Sequence, residues 1–252
     1  MKKILLIGCV ILTAACQSAT PTPEHSLFST ATPPASQTPV PDTPTPEPTP
    51  TLEPSLTPLP RFFTNEFDSS LAGWVILQAG NESIPNVATE NGALLLQMNT
   101  PFTWLYALYG AEDYADVHIE AQFQNRAGTP ASVGLVCRYG EEQGWFEYNV
   151  STDGAYNILY GNWLTVGIAE YLPVTDDSSS TLIEPSGATQ TVGLTCEGDI
   201  LSLYINHTLL RRVDVARFEL DDGKVGITVS SFENVPIAAA FDWVKVSESP
   251  SP

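Results

Sequence analysis

From residue 93 to residue 246 the chain repeats one pattern. A short run of alternating apolar and polar side chains is followed by a turn. Such runs fall at 93–98, 104–109, 115–124, 132–139, 145–151 and 155–160, and again at 191–197, 200–205, 208–215, 224–230 and 239–246. Successive side chains of a strand point to opposite faces. In LSLYIN, therefore, Leu201, Leu203 and Ile205 oppose Ser202, Tyr204 and Asn206. In WFEYNV, Phe146, Tyr148 and Val150 oppose Trp145, Glu147 and Asn149. Glu90-Asn91-Gly92, Thr152-Asp153-Gly154, Glu197-Gly198-Asp199 and Asp221-Asp222-Gly223 supply turn chemistry between runs. No stretch carries helical periodicity. Many short strands at even spacing predict an all-β, two-sheet antiparallel sandwich over residues 61–248, with a short disordered tail at 249–252. That length is ample for one core.

The residues before it obey other rules. Of the chain's 21 prolines, 13 lie in residues 17–60. Proline lacks the backbone donor and fixes φ, so this Thr/Pro-rich segment builds neither helix nor central strand. It has few large apolar groups and reads as a disordered, extended spacer. In polyproline II geometry it would reach on the order of 100 Å.

The chain opens MKKILLIGCVILTAACQS. Lys2 and Lys3 precede an apolar run at 4–12, too short to span a bilayer and suited to an export signal. The plain reading is a signal at 1–15 cleaved after Ala15, with Cys16 an accidental neighbour. However, Thr13-Ala14-Ala15-Cys16 resembles the lipobox of bacterial lipoproteins, with one departure: Thr13 holds the usual aliphatic position and Leu12 lies one earlier. That resemblance implies a mature chain beginning at Cys16, acylated there (palmitate being one such chain) and anchored in a bacterial membrane. The domain would then face the extracytoplasmic side. Several acyl chains make a stable anchor where one does not.

Charge restricts the partners. Without Lys2 and Lys3, the ten basic residues become eight against 29 acidic, a formal net charge of -21. Such a surface repels nucleic acid and anionic headgroups. Contact with a lipid bilayer would fall to the acyl anchor.

Four stretches, FTNEFDSSLAGW, SVGLVCRYGEEQGWFEYNVSTDG, TVGLTCEGDILSLYINHTLL and AFDWVKV, together resemble the concanavalin A-like lectin/glucanase sandwiches, a jelly-roll group. The resemblance implies the jelly-roll form of the sandwich and says little about activity, since widely used folds host unrelated functions.

Beyond the signal and Cys16, two cysteines remain. Cys137 in GLVCRY and Cys196 in GLTCEG lie on the apolar face of similarly written strands. Outside the cytoplasm they would form a disulfide; the alternative is two buried thiols. Neither has the CxxC partner or neighbouring histidine of a zinc site. His118 on a strand and His207 in the turn INHT sit in no catalytic motif. Retaining glucanases of this group carry E-x-D-x-x-E on one strand, and that pattern is absent. Glu141, Glu142 and Glu147 are the nearest carboxylates.

Binding has better material. Sugar sites combine an aromatic platform with a few hydrogen-bonding groups. Arg138, Trp145, Glu147 and Asn149 all alternate away from the apolar set and form the candidate ligand site. Arg138 would clamp hydroxyls or a carboxylate, Trp145 would stack, and Glu147 with Asn149 would pair with hydroxyls. Asp176-Asp177 and Asp221-Asp222 are the pairs a structural calcium would use. The leading expectation is a surface-anchored, non-catalytic module for a glycan or other envelope polymer. The alternatives are an envelope domain for structural or protein contacts, and a glycoside hydrolase-like enzyme.

Overall fold

Alternation becomes layering in the computed structural model, which describes residues 59–249 except Ser69. The signal, Cys16, the spacer up to residue 58 and the last three residues lie outside the described residues. Two eight-stranded sheets form. The first runs β14 (Thr208–Asp214), β13 (Ile200–Ile205), β12 (Thr189–Glu197), β6 (Val117–Asn125), β16 (Ile237–Ser247), β4 (Ala93–Met98) and β3 (Asn86–Glu90), with β1 (Phe63–Asn65) laid along β16. The second runs β10 (Ile168–Pro173), β9 (Ala155–Thr165), β8 (Gly144–Ser151), β7 (Ser132–Gly140), β15 (Lys224–Ser231), β5 (Thr103–Tyr109) and β2 (Trp74–Gly80), with β11 (Ser178–Ser179) beside β9. The strand pairs are antiparallel, and the chain crosses repeatedly from sheet to sheet, as in a jelly roll.

The main core fills the space between the sheets. Ile119, Phe123, Leu194, Leu203 and Phe241 of the first sheet pack among Leu105, Leu135, Phe146, Tyr148 and Ile227 of the second. These are the apolar members of the alternating runs. Cys137 of β7 and Cys196 of β12 are joined across the core, with both residues fully buried. The disulfide thus ties one sheet to the other.

The predicted runs coincide with strands within a few residues. Additional strands appear at β1, β2, β3, β10 and β11. β3 and β10 are mostly exposed edge strands, so no buried face imposes alternation on them. In β2, Val75 and Ile76 are adjacent, apolar and exposed, which hides its period. The connection at 173–187 contains β11 and buries Ile183.

A second apolar cluster lies on the opposite face of the second sheet. Ala79, Tyr106, Leu108, Val136 and Trp145 are buried there, with Leu77, Trp104, Tyr139, Trp163 and Tyr171 packed on them. An antiparallel sheet commonly leaves one face solvated. This one curls until its two edge regions meet, and the backbone N–H of Gly80 donates to Gly167 O at 3.0 Å. Its concave face becomes a cup.

Candidate functional site

Three of the four expected site residues come together in that cup. β8 aims Trp145, Glu147 and Asn149 at the same face, as alternation requires. Trp145 Nε1 donates to Glu147 Oε2 at 3.1 Å, and Asn149 Nδ2 donates to Glu147 Oε1 at 2.9 Å. On neighbouring β9 stands Gly161, where a Cβ would come within 2.3 Å of the Trp145 ring. The missing side chain lets the indole lie against the strand.

Their exposure departs from expectation. Trp145 and Glu147 are 0% exposed and Asn149 5%. Trp145 is boxed by Trp163, Tyr139, Tyr106 and Tyr171, with ring centroids 5.1, 5.4, 5.7 and 6.1 Å away. The hydroxyls of Tyr106 and Tyr171 meet across the cup. Trp145 therefore offers no stacking surface, and Glu147 cannot meet a hydroxyl from solvent. The correction has a simple cause: alternation tells which face a residue takes, not whether the sheet closes over that face. Burial pushes the Glu147 carboxyl up, opposed by hydrogen bonds from Asn149, Trp145 and Tyr106.

Arg138 leaves the group altogether. It adopts φ 53° where the register of β7 against β8 shifts between Cys137 and Gly140. A bulge of this kind re-aims a side chain. The guanidinium turns to the end of the sandwich, where it donates to Gly198 O at 2.6 Å, Leu220 O at 2.7 Å and Ala115 O at 3.3 Å. It is 3% exposed. Burial lowers its pKa, while Asp116, Asp199, Asp221 and Asp222 oppose that shift. Arg138 is a staple among three connecting segments, not a ligand clamp.

The other sequence features sort themselves around the sandwich. His118 Nδ1 lies 2.8 Å from Thr195 Oγ1, and burial lowers its pKa. His207, at φ 62°, occupies the hairpin turn between β13 and β14 and pairs with Glu120 at 2.7 Å. Asp177 Oδ1 accepts from Asn157 Nδ2 at 3.1 Å. Among the described residues no group of three or more His, Cys, Asp or Glu side chains gathers as a metal site.

What remains open is the cup's rim. At one end a depression of about 430 Å³ is lined by Trp104, Asn149, Asn157, Tyr171, Ser230 and Phe232, among others. Registry explains the grouping. Trp104 pairs with Ser230 across β5 and β15, and Asn149 pairs with Asn157 across β8 and β9. Trp104 meets Phe232 edge-on at 6.1 Å and leans on Tyr171 at 6.1 Å. Beneath this aromatic rim, Asn149 Oδ1, Asn157 Oδ1 and Ser230 Oγ are buried atoms with no hydrogen-bond partner among the described residues. Buried polar atoms of folded proteins are nearly always paired, so such a cluster points to a guest that supplies hydroxyls or water. At the opposite end a depression of about 410 Å³ is mainly apolar, lined by Val75, Leu77, Leu108, Tyr139, Trp163 and Val166.

The run at 104–109 sets Trp104 and Tyr106 on one strand face, but nothing in it points to Ser230, Tyr171 or Phe232. The alternation of TWLYALY carries the signal for Trp104. Phe232 lies just past the end of β15, and Tyr171 on an unpredicted edge strand; neither carries one.

No family model matches the chain, and no curated protein matches it. Solved structures do. A carbohydrate binding module from Bacillus subtilis aligns over 70% of this chain and 96% of its own, at 15% identity and TM-score 0.52. A β-glucanase from Bacillus licheniformis aligns over 74% and 98%, at 13% identity and TM-score 0.53. The laminarinase catalytic domain of Thermotoga maritima aligns over 75% and 98%, at 11% identity and TM-score 0.51. At these identities the likeness is one of fold: the chain is a two-sheet jelly-roll sandwich.

Proposed function

We propose that the domain binds a glycan in the Trp104–Asn149–Ser230 depression, as the working end of a membrane-anchored lipoprotein. One observation carries this reading. Buried, unpartnered Asn149 Oδ1 and Ser230 Oγ lie under a rim of Trp104, Tyr171 and Phe232. Aromatic faces accept the apolar side of a sugar ring, and the amide and hydroxyl oxygens fix its hydroxyls. A carbohydrate binding module and glucanases among the fold neighbours support a saccharide ligand. Of the four residues first expected, Asn149 keeps a direct role at the floor. Glu147 holds it from behind by accepting its amide hydrogen, and Trp145 in turn donates to Glu147.

The anchor belongs to the same proposal. Cys16 carries the acyl chains, and the Thr/Pro-rich spacer holds the domain away from the bilayer.

The test is binding of the full chain to a panel of polysaccharides, repeated with Trp104→Ala and Ser230→Ala. Each change is expected to weaken binding about tenfold, the effect of roughly 1.4 kcal/mol. Binding that ignores both changes would remove this depression as the site. Absence of binding across the panel would remove the function.

A further inference from the structure

We infer that the depression takes the uncapped end of a neutral glycan chain rather than a stretch of its middle. This rests on the glycan-binding reading above and goes on to the class of ligand. An open, curled sheet offers a groove that runs across its strands and out past both edges, so a polymer can lie through it. Here that path is shut in three places. The end of β2 meets the turn between β9 and β10, where Gly80 N donates to Gly167 O at 3.0 Å. The Tyr106 and Tyr171 hydroxyls meet across the cup, from β5 to β10. Trp145 is wholly buried beside them. On the side toward the interior of the cup the depression is therefore closed, by Tyr106, Tyr171 and Trp145. At about 430 Å³ it falls near the low end of ligand pockets, which run to ~1,000 Å³.

The chemistry of the floor agrees with the shape. Asn149 Oδ1 and Asn157 Oδ1 are acceptors without donors, and Ser230 Oγ can accept or donate. A terminal sugar residue carries a free hydroxyl where an internal one carries a glycosidic oxygen, which cannot donate. Acceptors at a floor closed toward the cup can take the terminal hydroxyl, whereas an internal residue would have to lead its next sugar into the Tyr106–Tyr171 closure. The charged residues lining the depression are Asp153 and Asp177, both acidic. A uronate or sulfated sugar would meet like charge there, so a neutral glycan is favoured over an anionic one.

Sites are counted by titrating the full chain with laminarin, xylan, dextran, galactomannan and polygalacturonate, each intact and after partial acid hydrolysis. Chain ends are measured by reducing-end assay. The expected result is binding to at least one neutral polymer, with binding sites per unit mass rising in the same ratio as chain ends. Ser230→Ala is expected to weaken that binding about tenfold. A site number that stays fixed while ends multiply would overturn the end-binding inference and leave glycan binding standing. Preference for polygalacturonate would overturn the neutral-ligand part. No binding to any of the five would overturn the glycan reading beneath it.

Discussion

Glu147 is the residue on which the cup's interior turns. Its carboxyl accepts from Trp145 and Asn149 while wholly buried, and burial raises its pKa above that of an unfolded carboxyl. A raised carboxyl pKa means the folded state holds the proton more tightly. The contribution to stability is then full below the unfolded value of ~4.3 and is lost as pH rises through the folded pKa. Glu147→Gln removes that dependence, because an amide does not titrate in this range. In urea unfolding from pH 4 to pH 8, the variant is expected to gain on the wild type steadily as pH rises. The altered hydrogen bonds add only a pH-independent offset. Parallel stability curves for the two proteins would sink the idea. The residue scale also marks where sequence stops informing. WFEYNV told that Trp145, Glu147 and Asn149 share a face. Nothing in it told that Tyr171, from a strand more than twenty residues downstream, would lie over that face. The contact comes from the curl of a whole sheet, which no local pattern encodes.

Two elements hold the strands in place, and each has a measurable weight. Cys137 and Cys196 are 59 residues apart and join β7 to β12. Closing a loop of that length constrains the unfolded chain by about 4 kcal/mol in the entropy model. Cys137→Ala combined with Cys196→Ala is therefore expected to lower unfolding free energy by roughly that amount, read from denaturant midpoints. Arg138 fastens the segments around Ala115, Gly198 and Leu220 through their carbonyls. Removing it leaves buried acceptors unpaired, and each costs about 1–3 kcal/mol. Arg138→Ala should cost about 3 kcal/mol or more, with Arg138→Lys recovering only part, since an ammonium lacks the planar fork. A loss indistinguishable from that of an exposed arginine would refute the staple. Most of the sheet was legible at this scale, because the central strands bury one face and must alternate. The edge strands β3 and β10 escaped, because edges are free of that demand. Arg138 was misread for another reason: a single residue at φ 53° broke the alternation that placed it.

At the scale of the whole molecule, the prediction concerns attachment. If Cys16 is acylated, the protein partitions into detergent, and Cys16→Ser moves it to the aqueous phase. Mass spectrometry of the mature terminus would show the added acyl mass on the wild type alone; an unmodified Cys16 would detach the domain from the membrane proposal and leave the sandwich untouched. The acidic balance of 29 Asp and Glu against 10 Lys and Arg gives the surface a long-range repulsion from anionic polymers, consistent with a neutral ligand. The closure of the second sheet has a further consequence, for the protein's behaviour toward its own kind. Unpaired strand edges are where folded β-proteins recruit one another into aggregates. With the end of β2 drawn to the turn before β10 at Gly80 and Gly167, that sheet closes one end of its margins. The first sheet keeps two margins, β3 and β14. β14 carries the paired charges Arg211 and Arg212, a guard against strand addition, whereas Asn86–Glu90 ends in one carboxylate. If the proposed anchor crowds copies on a membrane, they would find their weakest barrier to zippering along β3.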